Sequence, residues 1–378
     1  MSHLHNPFRY DYVGSFLRPE NLKQARRDFD EGKIDYAKLK EVEEQAITDL
    51  ITKVKSLGYH VITDGEFRRA TWHLDFMWGL DGVGHVKTKT GLPFHGEAAM
   101  IDDTYLVGKI GLSKEHPFVE HFRFVKQFED ENTVAKQTIP APAQVLAQFT
   151  MPFNREATEK FYDSDDQLID DFVTAYKKVI DDLYAAGCRN VQLDDCTWGM
   201  LADKTAPLAY GTTVEGLQKI QQTYKDINNR VIANAPEGVA VTTHVCRGNF
   251  HSTYASSGAY DAVADALFAE ENAAGYYLEF DDERSGGFAP LAKVTGDKKV
   301  VLGLVTTKSS VLESKKAIIE RIHEAAKYVP LDRLYLSPQC GFASCEIGNK
   351  LTEEQQWAKL RLVKEIAEEV WDKDGHIG

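Results

Sequence analysis

The chain has 378 residues, 43% of them hydrophobic, which is enough to bury a sizeable core without staples and is not the composition of a disordered chain. Its 44 Lys and Arg against 58 Asp and Glu give a formal net charge of −14, which argues against nucleic acid or an anionic membrane as the main partner. No run approaches the ~20 apolar residues of a membrane span, the N-terminal MSHLHNPFRYDY lacks the apolar core of a signal peptide, and five cysteines are an odd count for a disulfide scaffold. The expectation is a cytoplasmic α/β enzyme with reduced thiols.

In chain order, the first strand-like run is Tyr10–Phe16. Leu39, Val42, Ala46, Leu50, Val54 and Leu57, three and four apart, predict an amphipathic helix that Gly58 stops. Strand-like runs follow at Val61–Glu66 and Ala135–Ala141. Between them, residues 67–134 are too many for a simple βα connection. With Trp72, Phe76, Trp78 and Phe94 and scattered glycine, this stretch reads as an insertion containing a hairpin and a short helix. It would sit over a barrel mouth or at a subunit contact, as in a homodimer; the alternative is an elaborated loop. Ser164-Asp-Asp-Gln167 resembles a capping box before a helix ending at Gly187. Further strand-like runs are Asn190–Asp195, Ala240–Cys246, Gly275–Asp281, Val300–Val305 and Leu334–Cys340, and Thr352-Glu-Glu-Gln355 caps a last helix through about Val370. Strand–helix alternation points to a parallel sheet, and eight units favour closure into a single (β/α)8 TIM barrel over residues 1–378, with the insertion between strands 2 and 3. A doubly wound open sheet is the fallback, but no Gly-rich phosphate loop supports it.

In such a barrel, reactive groups collect at the C-terminal ends of strands. These ends carry Gly14-Ser15, Asp64-Gly65-Glu66, Asp194-Asp195-Cys196, His244-Val245-Cys246, Glu279-Phe280-Asp281 and Cys340. Alternation along a strand puts His244 and Cys246 on one side. With Cys340 and Glu279 they form an N, S and O donor set that suits zinc, and the scatter of the donors favours a catalytic over a structural site. The rival reading is a hydrogen-bonded core histidine and small buried thiols.

Three segments, THVCRGNF (243–250), YYLEFDD (276–282) and SPQCGF (337–342), resemble the zinc-site segments of cobalamin-independent methionine synthases. VGSF (13–16), DGEFRR (64–69) and VQLDD (191–195) resemble further segments of that family, in the same order along the chain. The resemblance implies that His244, Cys246, Glu279 and Cys340 ligate Zn2+, that Glu66 and Asp194 hold the ammonium of homocysteine, and that the Gly14-Ser15 turn meets its carboxylate. It implies methionine synthesis by a methyltransferase of the 5-methyltetrahydropteroyltriglutamate–homocysteine S-methyltransferase kind. The metal would keep the substrate thiol deprotonated and nucleophilic toward the methyl group.

The sequence also departs from the family. The chain corresponds to the C-terminal catalytic barrel of the two-domain enzymes. GLVTTKSS (303–310) has Thr306 and Lys308 where the larger members carry an Asp and a His, and 139–149 lacks the tryptophan associated with pterin stacking. Lys308 is the candidate acid for the leaving group, against the alternative of a solvated lysine opening a helix. The donor is 5-methyltetrahydrofolate or something simpler. Alternatives are alkyl transfer to another thiol, porphyrinogen decarboxylation on a related barrel, and a zinc-binding relic without activity.

Overall fold

The computed structural model describes residues 4–371; the outermost ends of the 1–378 assignment lie outside the described residues. The chain begins with α1 (Glu20–Asp30), α2 (Tyr36–Ser56), β1 (Val61–Ile62) and α3 (Leu74–Trp78). Next come β2 (Asp81–Val86), β3 (Leu92–Phe94), β4 (Glu97–Ala99), β5 (Asp103–Gly111) and α4 (Pro117–Lys126). They are followed by β6 (Val134–Ala135), β7 (Gln137–Pro140), α5 (Pro142–Thr150), α6 (Pro152–Glu159) and α7 (Asp165–Ala185). The middle holds β8 (Asn190–Asp195), α8 (Thr197–Ala202), α9 (Ala206–Ala209), α10 (Val214–Ala233) and β9 (Ala240–Val245). The chain closes with β10 (Gly275–Glu279), β11 (Lys299–Val305), α11 (Lys315–Ala325), β12 (Leu334–Pro338) and α12 (Glu353–Trp371).

Strands β7 to β12 form a six-stranded parallel sheet in sequence order, so each strand lies beside its successor. β1 pairs in parallel with β6, one residue before β7. Beyond β12, Tyr10 makes a parallel bridge to Leu336. Every residue of β8, β10 and β12 is buried, as expected when a parallel sheet is covered on both faces. Register places Asp194, His244, Tyr277, Val301 and Tyr335 side by side on one face. Deeper on this face, the Lys136 ammonium donates to Tyr12 O (2.6 Å) and Gln192 Oε1 (2.9 Å), and Tyr277 Oη donates to Asp11 Oδ2 (2.8 Å).

Several sequence expectations hold at the level of single caps. Asp35 accepts from Lys38 N at the start of α2, and Gly58 stops it with φ +86°. Thr352 and Gln355 exchange both bonds of a capping box before α12. Ser164 stands at the N-cap of α7 but makes no capping bond.

The first two strand-like runs differ from expectation. Tyr10–Phe16 is not a strand beyond its single bridge, because the Asp11 carboxylate takes Phe8 N and Tyr12 N and offers the backbone a local alternative to a ladder. Val61–Glu66 is a ladder only at Val61–Ile62. Thr63 Oγ1 then accepts from Gly65 N (3.1 Å) and Asp64 Oδ1 from Glu66 N (2.8 Å), folding the rest into a turn. Residues 67–134 hold two helices, α3 and α4, and two antiparallel pairs, β2–β5 and β3–β4.

Gly303 sits where β11 shifts register against β12. A Cβ there would lie 2.6 Å from Leu278 O and 2.7 Å from Gln339 Cα, both backbone atoms of the neighbouring chain segments. Gly303→Ala is therefore expected to cost about 1–3 kcal/mol of stability through overpacking, read as a lower urea midpoint at unchanged m-value.

Candidate active site

The turn after β1 supplies the first acid. Glu66 has φ +61°, a conformation that side chains other than glycine rarely adopt. It is held there by the Asp64 bond to its N–H and by Arg18 Nη2, which donates to its carbonyl (2.7 Å). Its Oε1 accepts from Thr138 Oγ1 (3.1 Å) and Arg69 Nη1 (3.2 Å), while Oε2 is buried with no partner among the described residues. Burial pushes this carboxyl up to about 7, against the opposing charge of Arg69. The second acid, Asp194, ends β8 and accepts from Gln192 Nε2 (2.7 Å). Burial pushes it up to about 6, with His244 opposing. Ser15 packs against Gly341 so closely that a Cβ at 341 would fall 1.8 Å from Ser15 Oγ. Gly14, with φ +154°, faces Thr138, whose Cγ2 a Cβ would meet at 2.8 Å.

β9 and the segment after β12 bring together His244, Cys246 and Cys340, all buried, with their donor atoms within 4.8 Å of one another. The two sulfurs are 3.6 Å apart. His244 Nδ1 lies 3.1 Å from Tyr277 O; a carbonyl only accepts, so Nδ1 carries the proton and Nε2 the lone pair. Nε2 is buried with no partner among the described residues. An imidazole oriented through Nδ1, with a bare Nε2 beside two thiols, fits a metal ion, and this soft donor set fits zinc.

Glu279, at the end of β10, lies outside this group. Its Oε2 accepts from Arg247 N (2.9 Å), and its Oε1 accepts from Arg284 Nη2 (3.1 Å) and Lys308 Nζ (3.2 Å). Lys308 also donates to Asp281 Oδ2 (3.3 Å). Burial works against its charge, but these carboxylates outweigh burial and hold the lysine above its ordinary range. It is thus a buried ion-pair partner, not a solvated lysine.

Glu66, Asp194, Ser15, His244, Cys246 and Cys340 all line one cleft of about 870 Å³, open to solvent. Glu279 and Lys308 are not among its lining residues. Met200 lines the cleft, whereas Trp198 is fully buried in the core. Cys196 and Cys345 also line it, and Cys196 lies beside Cys246 and favours its thiolate. The sequence reading missed Arg69, three residues after Glu66, and it missed His73, Leu92 and Ile101, which line the same cleft as Phe94. The sequence signal for this lining is the concentration of aromatic residues in 67–134. Arg18 and Arg247 spend their guanidinium groups on backbone carbonyls and Tyr260 Oη.

Against this geometry, the comparisons with known proteins are direct. The chain matches the family described as "Cobalamin-independent synthase, Catalytic domain" over residues 10–369 and belongs to it, a family of methyltransferases. It is 46% identical over 371 residues to the uncharacterized protein YxjG of Bacillus subtilis, covering 97% of this chain and 95% of that one. It is 25% identical over 334 residues to the methionine synthase of Pyrococcus horikoshii, covering 87% and 84%. Among solved structures, a candidate vitamin-B12 independent methionine synthase from Listeria monocytogenes superposes with TM-score 0.76 at 37% identity, covering 97% of this chain and 99% of that one. A B12-independent methionine synthase from Shewanella sp. W3-18-1 shares the fold at 18% identity and TM-score 0.69, covering 96% and 97%.

Removing a thiol from the three-donor group leaves too few ligands to hold zinc tightly. If this group holds zinc, the wild-type chain should retain about one equivalent on dialysis and Cys246→Ser and Cys340→Ser should each lose most of it, measured by elemental analysis. Retention of full zinc by both would show that these sulfurs do not bind it.

Proposed function

We propose that this chain is a zinc-dependent thiol methyltransferase that makes methionine from homocysteine and a methyl donor such as 5-methyltetrahydrofolate. The observation that carries the reading is the shared cleft: the His244, Cys246 and Cys340 donors open into the same space as the buried carboxylates of Glu66 and Asp194. Bound zinc would keep the substrate thiol in its reactive thiolate form at neutral pH. The chain's own residues do the rest. Glu66 Oε2, buried and without a partner, and Asp194 receive the ammonium, which needs paired carboxylates once out of water. Ser15 and the Gly14 turn receive the carboxylate. A thiol lacking an ammonium would leave both acids unpaired, so coenzyme-M-like substrates fit less well. Glu279 either completes the ligand set after releasing its cations or stabilises the site's edge through them.

On this reading the pairings around Tyr10, β1 and β6–β12 form one (β/α)8 barrel within a single domain, with 67–134 as an insertion that walls the mouth. All five cysteines are free, in keeping with a reducing cytoplasm, and among the described residues no helix is long and apolar enough to cross a membrane.

Purified, reduced, zinc-loaded protein given homocysteine and 5-methyltetrahydrofolate is expected to form methionine, quantified by mass spectrometry, well above a Cys340→Ser control. Failure to form it, in protein that holds zinc and takes up homocysteine, would remove this methyl donor and leave the thiol site standing. A pH signature also follows. Glu66 is protonated below about 7 in the free protein, so it presents a carboxylate only as pH rises through that value. Homocysteine affinity should fall by up to about tenfold per pH unit below the transition, and Glu66→Gln should bind weakly and lose this limb.

A further inference from the structure

Deeper than the cleft, on the sheet face that carries Asp194 and His244, lies a charge that the thiol methyltransferase reading leaves unused. Lys136, between β6 and β7, is 2% exposed. A lysine this deep is disfavoured unless its charge is matched and its protons are placed. Asp11 matches it, with Oδ1 at 3.5 Å, and the ammonium donates to Tyr12 O (2.6 Å) and to Gln192 Oε1 (2.9 Å).

Gln192 is fully buried and stands two residues before Asp194 on β8, so the two side chains leave the strand on the same face. Its Nε2 donates twice, to Asp194 Oδ1 (2.7 Å) and to Val13 O (2.9 Å). Val13 O belongs to the peptide that leads into Gly14 and Ser15. One amide therefore bonds both halves of the amino-acid site, the acid assigned to the ammonium and the turn assigned to the carboxylate. Its direction is fixed. An ammonium has protons and no lone pair, so it accepts only the oxygen end of the amide, whereas a carbonyl and a carboxylate accept only the NH2 end. Turned over, the amide would set its oxygen against Val13 O and Asp194 and its protons against Lys136. Removing Lys136 would leave the Gln192 oxygen buried without this partner. Neither Lys136 nor Gln192 lines the cleft, whereas Val13, Ser15 and Asp194 do.

We propose that Lys136 and Gln192 are positioning residues for the amino-acid end of the substrate: the Lys136 ammonium fixes the Gln192 amide, and that amide holds the Asp194 carboxylate and the Val13–Gly14 turn at the spacing an α-amino-acid thiol needs. The inference rests on the thiol methyltransferase reading. It adds that selection for an ammonium and a carboxylate together is set from beneath the cleft, by groups that touch no substrate.

The test compares homocysteine with 2-mercaptoethanol, a thiol that has neither ammonium nor carboxylate, by calorimetry on the zinc-loaded full chain. The wild type should bind homocysteine the more tightly. Gln192→Met keeps the side chain's length and leaves the Asp11–Lys136 pair in place. It should weaken homocysteine by about tenfold, as when a hydrogen bond to a charged group is lost, and leave 2-mercaptoethanol within about threefold. Lys136→Met should weaken homocysteine in the same selective way, and combining it with Gln192→Met should add no more than about twofold, as for two residues that act as one unit. If Lys136→Met does not fold, the selectivity of Gln192→Met decides alone. A purely structural role would lower the melting temperature and leave the ratio of the two affinities where it was. The inference is overturned if Gln192→Met binds both thiols like the wild type, if it weakens both equally, or if the two substitutions weaken homocysteine additively. A wild type that binds homocysteine no better than 2-mercaptoethanol would instead overturn the thiol reading, and this inference with it.

Discussion

Charge taken out of water is the constraint on which this site depends. The ends of the parallel strands carry acids and bases into a layer where nearly every side chain is buried, so each ionisable group must be matched or left protonated. The chain solves this differently for its different acids. Glu279 is matched in full, by a backbone amide, a guanidinium and an ammonium. Glu66 is matched by half, with one oxygen bonded and the other bare, and burial leaves its carboxyl close to neutral pH. His244 is matched on one ring nitrogen only. Glu66 and His244, each with one atom left unmatched, both line the cleft, as groups available to a ligand do.

One point of backbone strain lies in the same place. The left-handed Glu66 is stabilised by Asp64, Arg18 and the Gly65 carbonyl that accepts from Phe16 N. These contacts tie the turn after β1 to the first segment of the chain, so the carboxylate's position depends on residues that are not themselves acids. Gly341 plays the matching role on the other side, where the absence of a side chain lets Ser15 approach the loop that carries Cys340.

Much of this arrangement was legible in the sequence, for reasons that differ by element. β8, β10, β11 and β12 read correctly because buried parallel strands are short apolar runs whose ends are marked by polar residues. α2 read correctly because of its apolar spacing and the Gly58 stop, and α12 because its capping box is local. The residues His244, Cys246 and Cys340 come together as their strand positions implied. Tyr10–Phe16 and Val61–Glu66 were legible as positions but not as strands, since Asp11, Thr63 and Asp64 bond to nearby amides in a way that composition does not announce. Lys308 was ambiguous because its partners, Glu279 and Asp281, are distant in sequence. The lining by His73, Leu92 and Phe94 was legible only as an aromatic-rich insertion expected over the mouth, because it takes shape once the β3–β4 hairpin is laid on the segment after Cys246.

The parallel bridge between Tyr10 and Leu336 joins the N-terminal segment to the last strand of the sheet, across most of the chain. During synthesis on a ribosome the N-terminal segment must wait until nearly all the remaining strands have been made before it meets its neighbour, and until then β12's future partners present unpaired edges. Cys340 follows that last strand by two residues. The His244, Cys246 and Cys340 group is therefore completed at the same late stage as the sheet, and a truncated or stalled chain carries His244 and Cys246 without their third partner.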